Sequence, residues 1–479
     1  MPTAVVIGAG PAGLTAALEL IRNTNYTVEV FEADTAPGGL SRTVARGDDR
    51  FDIGGHRFFT KSKRVRDFWL SLLPLEGKAP DAESFLIRKR KSRILYEQKL
   101  FDYPLSLTPS TLKKLGIIRA GKILLSYIAS TLRPEKNEKN LENFLINRFG
   151  SHLYKTFFKS YTEKVWGMPA TSIDPAWGAQ RIRGLSLFGA LKNALIVERN
   201  PETSLIETFW YPAKGPGQIW DCATEEIKKK AEVHFGFRAV HMAVKEKRID
   251  NIEFVERQTG RVIKRSPDAV ISTIPIPELI SSLSPAAPGN VLAAASGLQF
   301  RDFITVAVMT SRNGFDLTDN WIYVQDTNLR LGRVQIYPNW SSHLSKRKDK
   351  IWFGLEYFCQ KDEELWSRSD EELAIFAFEE LSKTGLLDNR QKMEEYHIIR
   401  TEKAYPAYNG SYGDFPAIVA FLNELENLFP VGRNGMHRYN NADHSCLAAM
   451  TAVDFLRGEN ISRSDIWSVN TEQEYHEKA

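Results

Sequence analysis

The apolar positions of this chain begin as one unbroken run. Residues 3–7 are hydrophobic and β-branched, the length of a single buried strand. Apolar residues then recur at helical spacing over 14–21, and a second hydrophobic run over 26–31 predicts a second strand. Residues 74–83 are polar and proline-containing, the composition of a connector. Residues 85–103 read as two short strands, and 110 to about 197 as helix, interrupted by the charged stretch 133–139. Residues 209–221 predict a loop entering a helix. Residues 233–275 alternate as strands do, and 268–275 is expected to return to the first sheet. Strand character dominates 305–358, helix returns at 370–384, and a last strand covers 428–431. There is no internal repeat and no low-complexity segment.

Glycines between these elements give the pattern a chemical meaning. Gly8, Gly10 and Gly13 stand between the first strand and the first helix, and Glu32 ends the second strand. Gly8 permits a tight turn, Gly10 lets backbone approach phosphate oxygens, and Gly13 lets helix and strand pack closely. A helix N-terminus there presents free N–H groups to a pyrophosphate, and Glu32 stands where a carboxylate accepts from ribose hydroxyls. GxGxxG alone is weak evidence. The strand, glycines, helix and acidic residue in order are strong. Gly38, Gly39 and Arg42 repeat the need for close approach beside a cation, and Gly54 and Gly55 would let the chain run against a flavin ring. Gly432 and Arg433 follow the last strand, so both ends of the chain point to one cofactor. The expected fold class is α/β: a Rossmann-like FAD-binding domain assembled from 1–84, 205–290 and 425–465. A helical insertion over 104–204 and an antiparallel sheet domain from 85–103 and 291–424 complete it, with a tail at 466–479.

Composition changes the picture only by exclusion. A length of 479 residues suits about two to three domains, and 43% hydrophobic with 25% charged residues is ordinary for a globular enzyme. A net charge of +4 gives no argument for nucleic acid. The densest basic cluster, residues 88–93, reads either as a solvated hairpin or as an anion site for a phosphorylated reductant. Three cysteines, Cys222, Cys359 and Cys446, lack metal-ligand spacing, and no HExxH motif occurs, so no metal site is expected. They read as free thiols of a reducing compartment, and with no leader or spanning segment expected, the location read is cytoplasmic.

Several segments, in order, resemble one family. YTEKVWG at 161–167, GGHRFF at 54–59, FDYP at 101–104, PAWGAQR at 175–181 and FWYP at 209–212 are similar to motifs of the UDP-galactopyranose mutases. So are WIY at 321–323, RVQIYPNW at 333–340, AYP at 404–406 and the closing stretch from Arg433 to His444. Those enzymes are relatives of the amine oxidase and protoporphyrinogen oxidase group. The resemblance implies an isomerase that interconverts pyranose and furanose forms of a nucleotide-diphosphate sugar, UDP-galactopyranose to UDP-galactofuranose, for cell-surface polysaccharide synthesis. In it reduced flavin N5 attacks the anomeric carbon, with no net redox change. It implies FAD as cofactor, with Asn441 and Arg433 beside it. Arg181 and Arg333 are implied as the diphosphate clamp, and His56 and Arg433 beside the flavin. Tyr103, Trp166, Trp321, Tyr323, Trp340, Tyr405, Tyr439 and Asn441 are implied around the substrate. Arg90 and Ser92 fall where NADPH would bind as reductant. The oligomeric state stays open, a homodimer included.

Departures and rivals bear on the substrate. Ser106, Ile206, Arg57 and Trp340 each stand where the family carries a different side chain, which varies the base or the sugar. For each aromatic the plain alternative is core packing, and for each arginine a surface ion pair. A redox flavoenzyme of the amine oxidase or protoporphyrinogen oxidase type shares the glycines but needs no arginine and tyrosine set. A binding protein on the same scaffold would have lost its glycines.

Overall fold

The computed structural model describes residues 1–103, 105, 108–175, 208–388 and 390–470. β1 (Thr3–Ile7) is the middle strand of a five-stranded parallel sheet. β2 (Thr27–Glu32) and Glu232–Phe235 lie to one side, Ala269–Ser272 and Leu428–Pro430 to the other. Val5 sits opposite Val270 on one side and Glu29 on the other. A parallel sheet covered on both faces demands apolar runs rather than alternation, as β1 has. α1 (Pro11–Asn23) begins earlier than the periodicity suggested, because Pro11 suits the first helical position and small residues follow it. It is buried from Ala12 to Leu20 and packs on the helix Ala442–Leu456, where the Thr15 hydroxyl meets Cys446 Sγ at 3.2 Å. The last tenth of the chain therefore closes on the first.

Two further sheets stand beside this layer. A four-stranded one holds Phe237–Lys245, Arg248–Glu256, Val262–Arg265 and Leu283–Ser284. The larger has seven strands in the order Glu395–Pro406, Phe300–Ser311, Lys350–Cys359, Arg333–Ile336, Trp321–Val324, Ser92–Tyr96 and Lys99–Asp102. It is antiparallel except at one join, where Trp321–Val324 runs parallel to Ser92–Tyr96.

The segment 85–103 differs from its expectation. It makes three strands, and they divide between sheets: Phe85–Lys89 pairs with Thr208–Pro212, while the other two join the seven-stranded sheet. The basic cluster 88–93 is thus a crossing between two sheets, not a hairpin. Residues 209–221 likewise open as a strand, since the aromatic run at 209–211 has strong β character that Pro212 and Gly215 obscured.

Helices Pro109–Leu115, Ile117–Leu132, Leu141–Phe149, Ser151–Phe157 and Lys159–Trp166 form the helical part. Thr108 and Asn140 accept backbone N–H groups at two of its N-termini. Leu141, Phe144, Leu145, Leu153, Tyr154 and Phe157 make its core. Among the described residues no single helix is long and apolar enough to cross a membrane. All three cysteines are free thiols, Cys359 and Cys446 fully buried.

Candidate functional site

The N-terminal glycines build a cradle. Gly8 has φ +102°, and its N–H donates to the Phe31 carbonyl at 2.7 Å, tying the turn to β2. A side chain at Gly13 would run into the Gly8 carbonyl, and one at Gly39 would come within 3.3 Å of the Gly10 backbone. The Gly38 N–H donates to Ala9 at 2.8 Å, so the second glycine turn lies on the first. Glu32 accepts from the Ala9 N–H at 2.6 Å and the Asp34 N–H at 2.8 Å, and burial raises its carboxyl above the usual range. Arg42 forms an ion pair with Asp34. The N-terminus of α1 has no side-chain cap, the condition in which its first N–H groups can take phosphate.

The C-terminal turn meets this cradle. A side chain at Gly432 would meet Ala12 at 2.9 Å, so the turn presses on the start of α1. Arg433, next in the chain, lies 4.0 Å over the Tyr439 ring and 5.0 Å over Tyr405. Its Nε and Nη2 are buried with no hydrogen-bond partner. A glycine cradle closed by a buried, unsatisfied guanidinium fits a dinucleotide such as FAD. Asn441 is exposed and caps Ala442–Leu456 together with His444.

Beside the cradle lies a buried polar cluster on the seven-stranded sheet. Arg333 stands opposite Glu356 in register, and their side chains form a hydrogen-bonded ion pair. Glu356 is fully buried, and its other oxygen accepts from Gln335 at 2.6 Å. Arg333 also donates to the Tyr405 hydroxyl at 3.0 Å. Burial opposes the Arg333 charge, but Glu356 with Tyr405, Tyr161 and Tyr323 outweighs it and holds the guanidinium well above its ordinary range. Tyr405 and Tyr161 are raised by burial, so both hydroxyls stay protonated at neutral pH. Tyr405 stacks on Tyr439 at 5.6 Å, and Tyr323 meets Tyr161, Trp321 and Tyr103 at 5.5, 5.7 and 4.9 Å. The cluster thus brings together Arg333, Arg433, Tyr405, Tyr439, Tyr323, Tyr103 and Trp321.

His56 joins it from the loop after Phe51. Its Nε2 lies 2.8 Å from the Ile53 carbonyl. Burial lowers its pKa to about 4, helped by the nearby positive charge of Arg433 and Arg333, so the imidazole is neutral at pH 7. The loop is anchored by Asp52, which accepts from Tyr211 and from Thr43. Gly55 has a structural reason of its own: a side chain there would strike the Trp321 ring.

Other expected residues fall elsewhere. Trp340 is fully buried behind Trp321, 5.7 Å between ring centres, and its indole N–H donates to Asn320 at 2.8 Å. This corrects its placement at the substrate: it supports the wall instead of lining it. Trp166 is buried in the helical core. Arg90 lies 5.2 Å over the Tyr103 ring, while Ser92 is buried in a strand opposite Trp321. Arg181, Ile206 and Ser106 lie outside the described residues. Glu356 and Gln335 were missed as candidates. The signal for both was present, since each is a lone polar residue in an apolar strand run, and such groups are paired when buried.

Comparisons with known proteins bear on the fold. A family profile for an NAD(P)-binding Rossmann-like domain matches residues 6–72. The chain is similar to an L-amino-acid oxidase of Crotalus adamanteus, 26% identical over 258 residues, which are 50% of this chain and 44% of that protein. It therefore spans under half the length of the curated relatives of that kind. A solved structure of reduced UDP-galactopyranose mutase superposes with a TM-score of 0.82 over 99% of both chains, at 21% identity. A protein described as a putative protoporphyrinogen oxidase from Exiguobacterium sp. 255-15 superposes with a TM-score of 0.70 over 95% of this chain and 99% of its own, at 14% identity. The fold is the α/β FAD-binding fold shared by that mutase and the oxidases.

Proposed function

We propose that the chain is a FAD-dependent nucleotide-sugar mutase, interconverting pyranose and furanose rings on a nucleotide diphosphate of the UDP-galactopyranose kind. The observation that carries this reading is the buried Arg333–Glu356–Gln335 array with its tyrosines, set beside the glycine cradle. An oxidase needs an apolar channel to an oxidisable bond. A buried guanidinium fixed by a carboxylate and ringed with phenol hydroxyls suits an oxyanion instead.

When bound, the reduced flavin supplies an electron-rich nucleophile for the anomeric carbon and ends the cycle at its starting redox state. The protein's own work is positional. The reaction breaks and remakes the bond between the anomeric carbon and the diphosphate oxygen. Between those events a proton leaves one sugar hydroxyl and another reaches the former ring oxygen. Arg333 donates to the departing diphosphate and stabilises its charge, and Glu356 fixes its orientation. Tyr405 and Tyr323 hydroxyls add donors. Arg433 adds positive charge beside the cradle. His56, neutral, orders the loop near the sugar without repelling these cations. Trp321 walls the sugar and excludes water. Arg181 is proposed as the second clamp, Asn441 as a flavin-side residue through the helix it caps, and Arg90 with Ser92 as the NADPH site. The protein is proposed to act in the cytoplasm, without nucleic acid.

The test is product analysis by chromatography after incubating UDP-galactopyranose with dithionite-reduced and with oxidised protein. A furanose product from the reduced protein alone supports the reading. Oxygen-dependent turnover of amines or porphyrinogens, with no nucleotide sugar bound, overturns it.

A further inference from the structure

Arg57, like Arg433 by the cradle, is an arginine of the site that stacks on aromatic rings and has a buried guanidinium nitrogen without a partner. It follows His56 in the loop, and its guanidinium carbon lies 4.8 Å over the Trp321 ring and 6.0 Å over Phe209. Its Nη1 is buried and has no hydrogen-bond partner. Several neighbouring cations are matched: Arg333 by Glu356, Arg88 by Glu76, Arg93 by Asp319 and Arg42 by Asp34; Arg433, which is not, belongs to the flavin side of the site. Among the described residues Arg57 has no such carboxylate. Stacking on an indole compensates a guanidinium only in part, and a buried N–H without an acceptor is costly. Such a group persists where a ligand brings the acceptor.

The position of Arg57 says which part of the ligand that is. Arg333 faces the same indole, at 5.4 Å. The two guanidiniums therefore lie no farther apart than the sum of the two distances to that ring, so one ligand can reach both. Arg333 is the diphosphate group under the function proposed above. Arg57 is then left for the sugar that the diphosphate carries. One planar guanidinium matches one planar carboxylate through two parallel N–H···O bonds.

We propose that Arg57 reads a carboxylate on the sugar, so that the substrate is an acidic nucleotide sugar, a uronic acid in place of a neutral hexose. This rests on the nucleotide-sugar reading. UDP-galacturonic acid is the apt probe, because it differs from UDP-galactose in that carboxylate alone. Binding is measured by calorimetry on the FAD-loaded protein, with UDP, UDP-galactopyranose and UDP-galacturonic acid, for wild type, Arg57→Met and Arg57→Lys.

Wild type should bind the uronate at least about tenfold more tightly than the neutral sugar, a difference that one charge-assisted bidentate pair can supply. Arg57→Met should abolish the preference, losing at least about tenfold for the uronate but under about threefold for UDP. Arg57→Lys should fall between them, retaining charge without the planar fork. Equal weakening of all three ligands would assign Arg57 to the diphosphate and overturn the proposal. So would unchanged preference with a lowered melting temperature, the mark of stacking alone, or loss only of NADPH-driven flavin reduction. If UDP and both sugars bind equally well, the mutase reading stands and this inference fails. If UDP does not bind, both fail.

Discussion

Arg333 keeps its charge in a buried site because Glu356 stands against it, with Gln335 holding the second carboxylate oxygen. Removing the Glu356 charge leaves the guanidinium as an uncompensated buried cation. Glu356→Gln should therefore destabilise the protein by about 3–5 kcal/mol in chemical unfolding, more than an exposed pair would lose. Arg333→Ala should lower kcat for ring interconversion by about a hundredfold to a thousandfold, as loss of an oxyanion donor does, with flavin content unchanged. A second expectation concerns His56. Burial moves its pKa from 6.5 to about 4, so the unfolded chain takes up the proton first. Stability from this group is complete above pH 6.5 and lost as pH falls toward 4. Urea unfolding of wild type and His56→Asn should show the wild type losing ground relative to the variant across that window. At this scale the sequence was legible where a motif named a residue: Arg333, Tyr405 and His56 all reach the cluster. It was not legible where burial decides. Trp340 has a suitable side chain, but packing directs it behind the wall.

At the scale of elements, the site depends on two strands in register and on one anchored loop. Arg333–Ile336 and Lys350–Cys359 place Arg333 across from Glu356, and a slip of one residue would turn both to the other face. Periodicity showed these strands, but pairing is a long-range property that no local pattern carries. The same gap explains 85–103, whose strands divide between two sheets. The loop at 53–56 is held by Asp52, whose carboxyl burial raises from 3.8 to about 7 despite its bonds to Tyr211 and Thr43. The folded protein thus holds a proton that the unfolded chain releases. Stability from this group is highest at low pH and declines as pH rises from 3.8 through 7. Comparing unfolding of wild type and Asp52→Asn should show that decline in wild type only. Gly55→Ala should push Trp321 aside, visible as changed tryptophan fluorescence and weakened nucleotide-sugar binding with normal flavin content.

Over the whole molecule, one cofactor site is assembled from the two ends of the chain. α1 and the helix Ala442–Leu456 pack together, and Gly432 touches Ala12. Gly432→Val would force these ends apart, and should lower FAD retention on gel filtration while leaving the seven-stranded sheet intact. This large-scale arrangement was the most legible part of the sequence, because glycine spacing reports backbone approach directly. The central claim is that the bond between sugar and diphosphate breaks and reforms without net oxidation. Its most direct test is positional isotope exchange. UDP-galactopyranose, or the uronate if that binds better, carries oxygen-18 in the bridge between the anomeric carbon and phosphorus. With dithionite-reduced protein the label should scramble into non-bridging phosphate positions, and with oxidised protein it should stay. A label that remains in the bridge under reducing conditions, with the nucleotide sugar bound, would contradict the account.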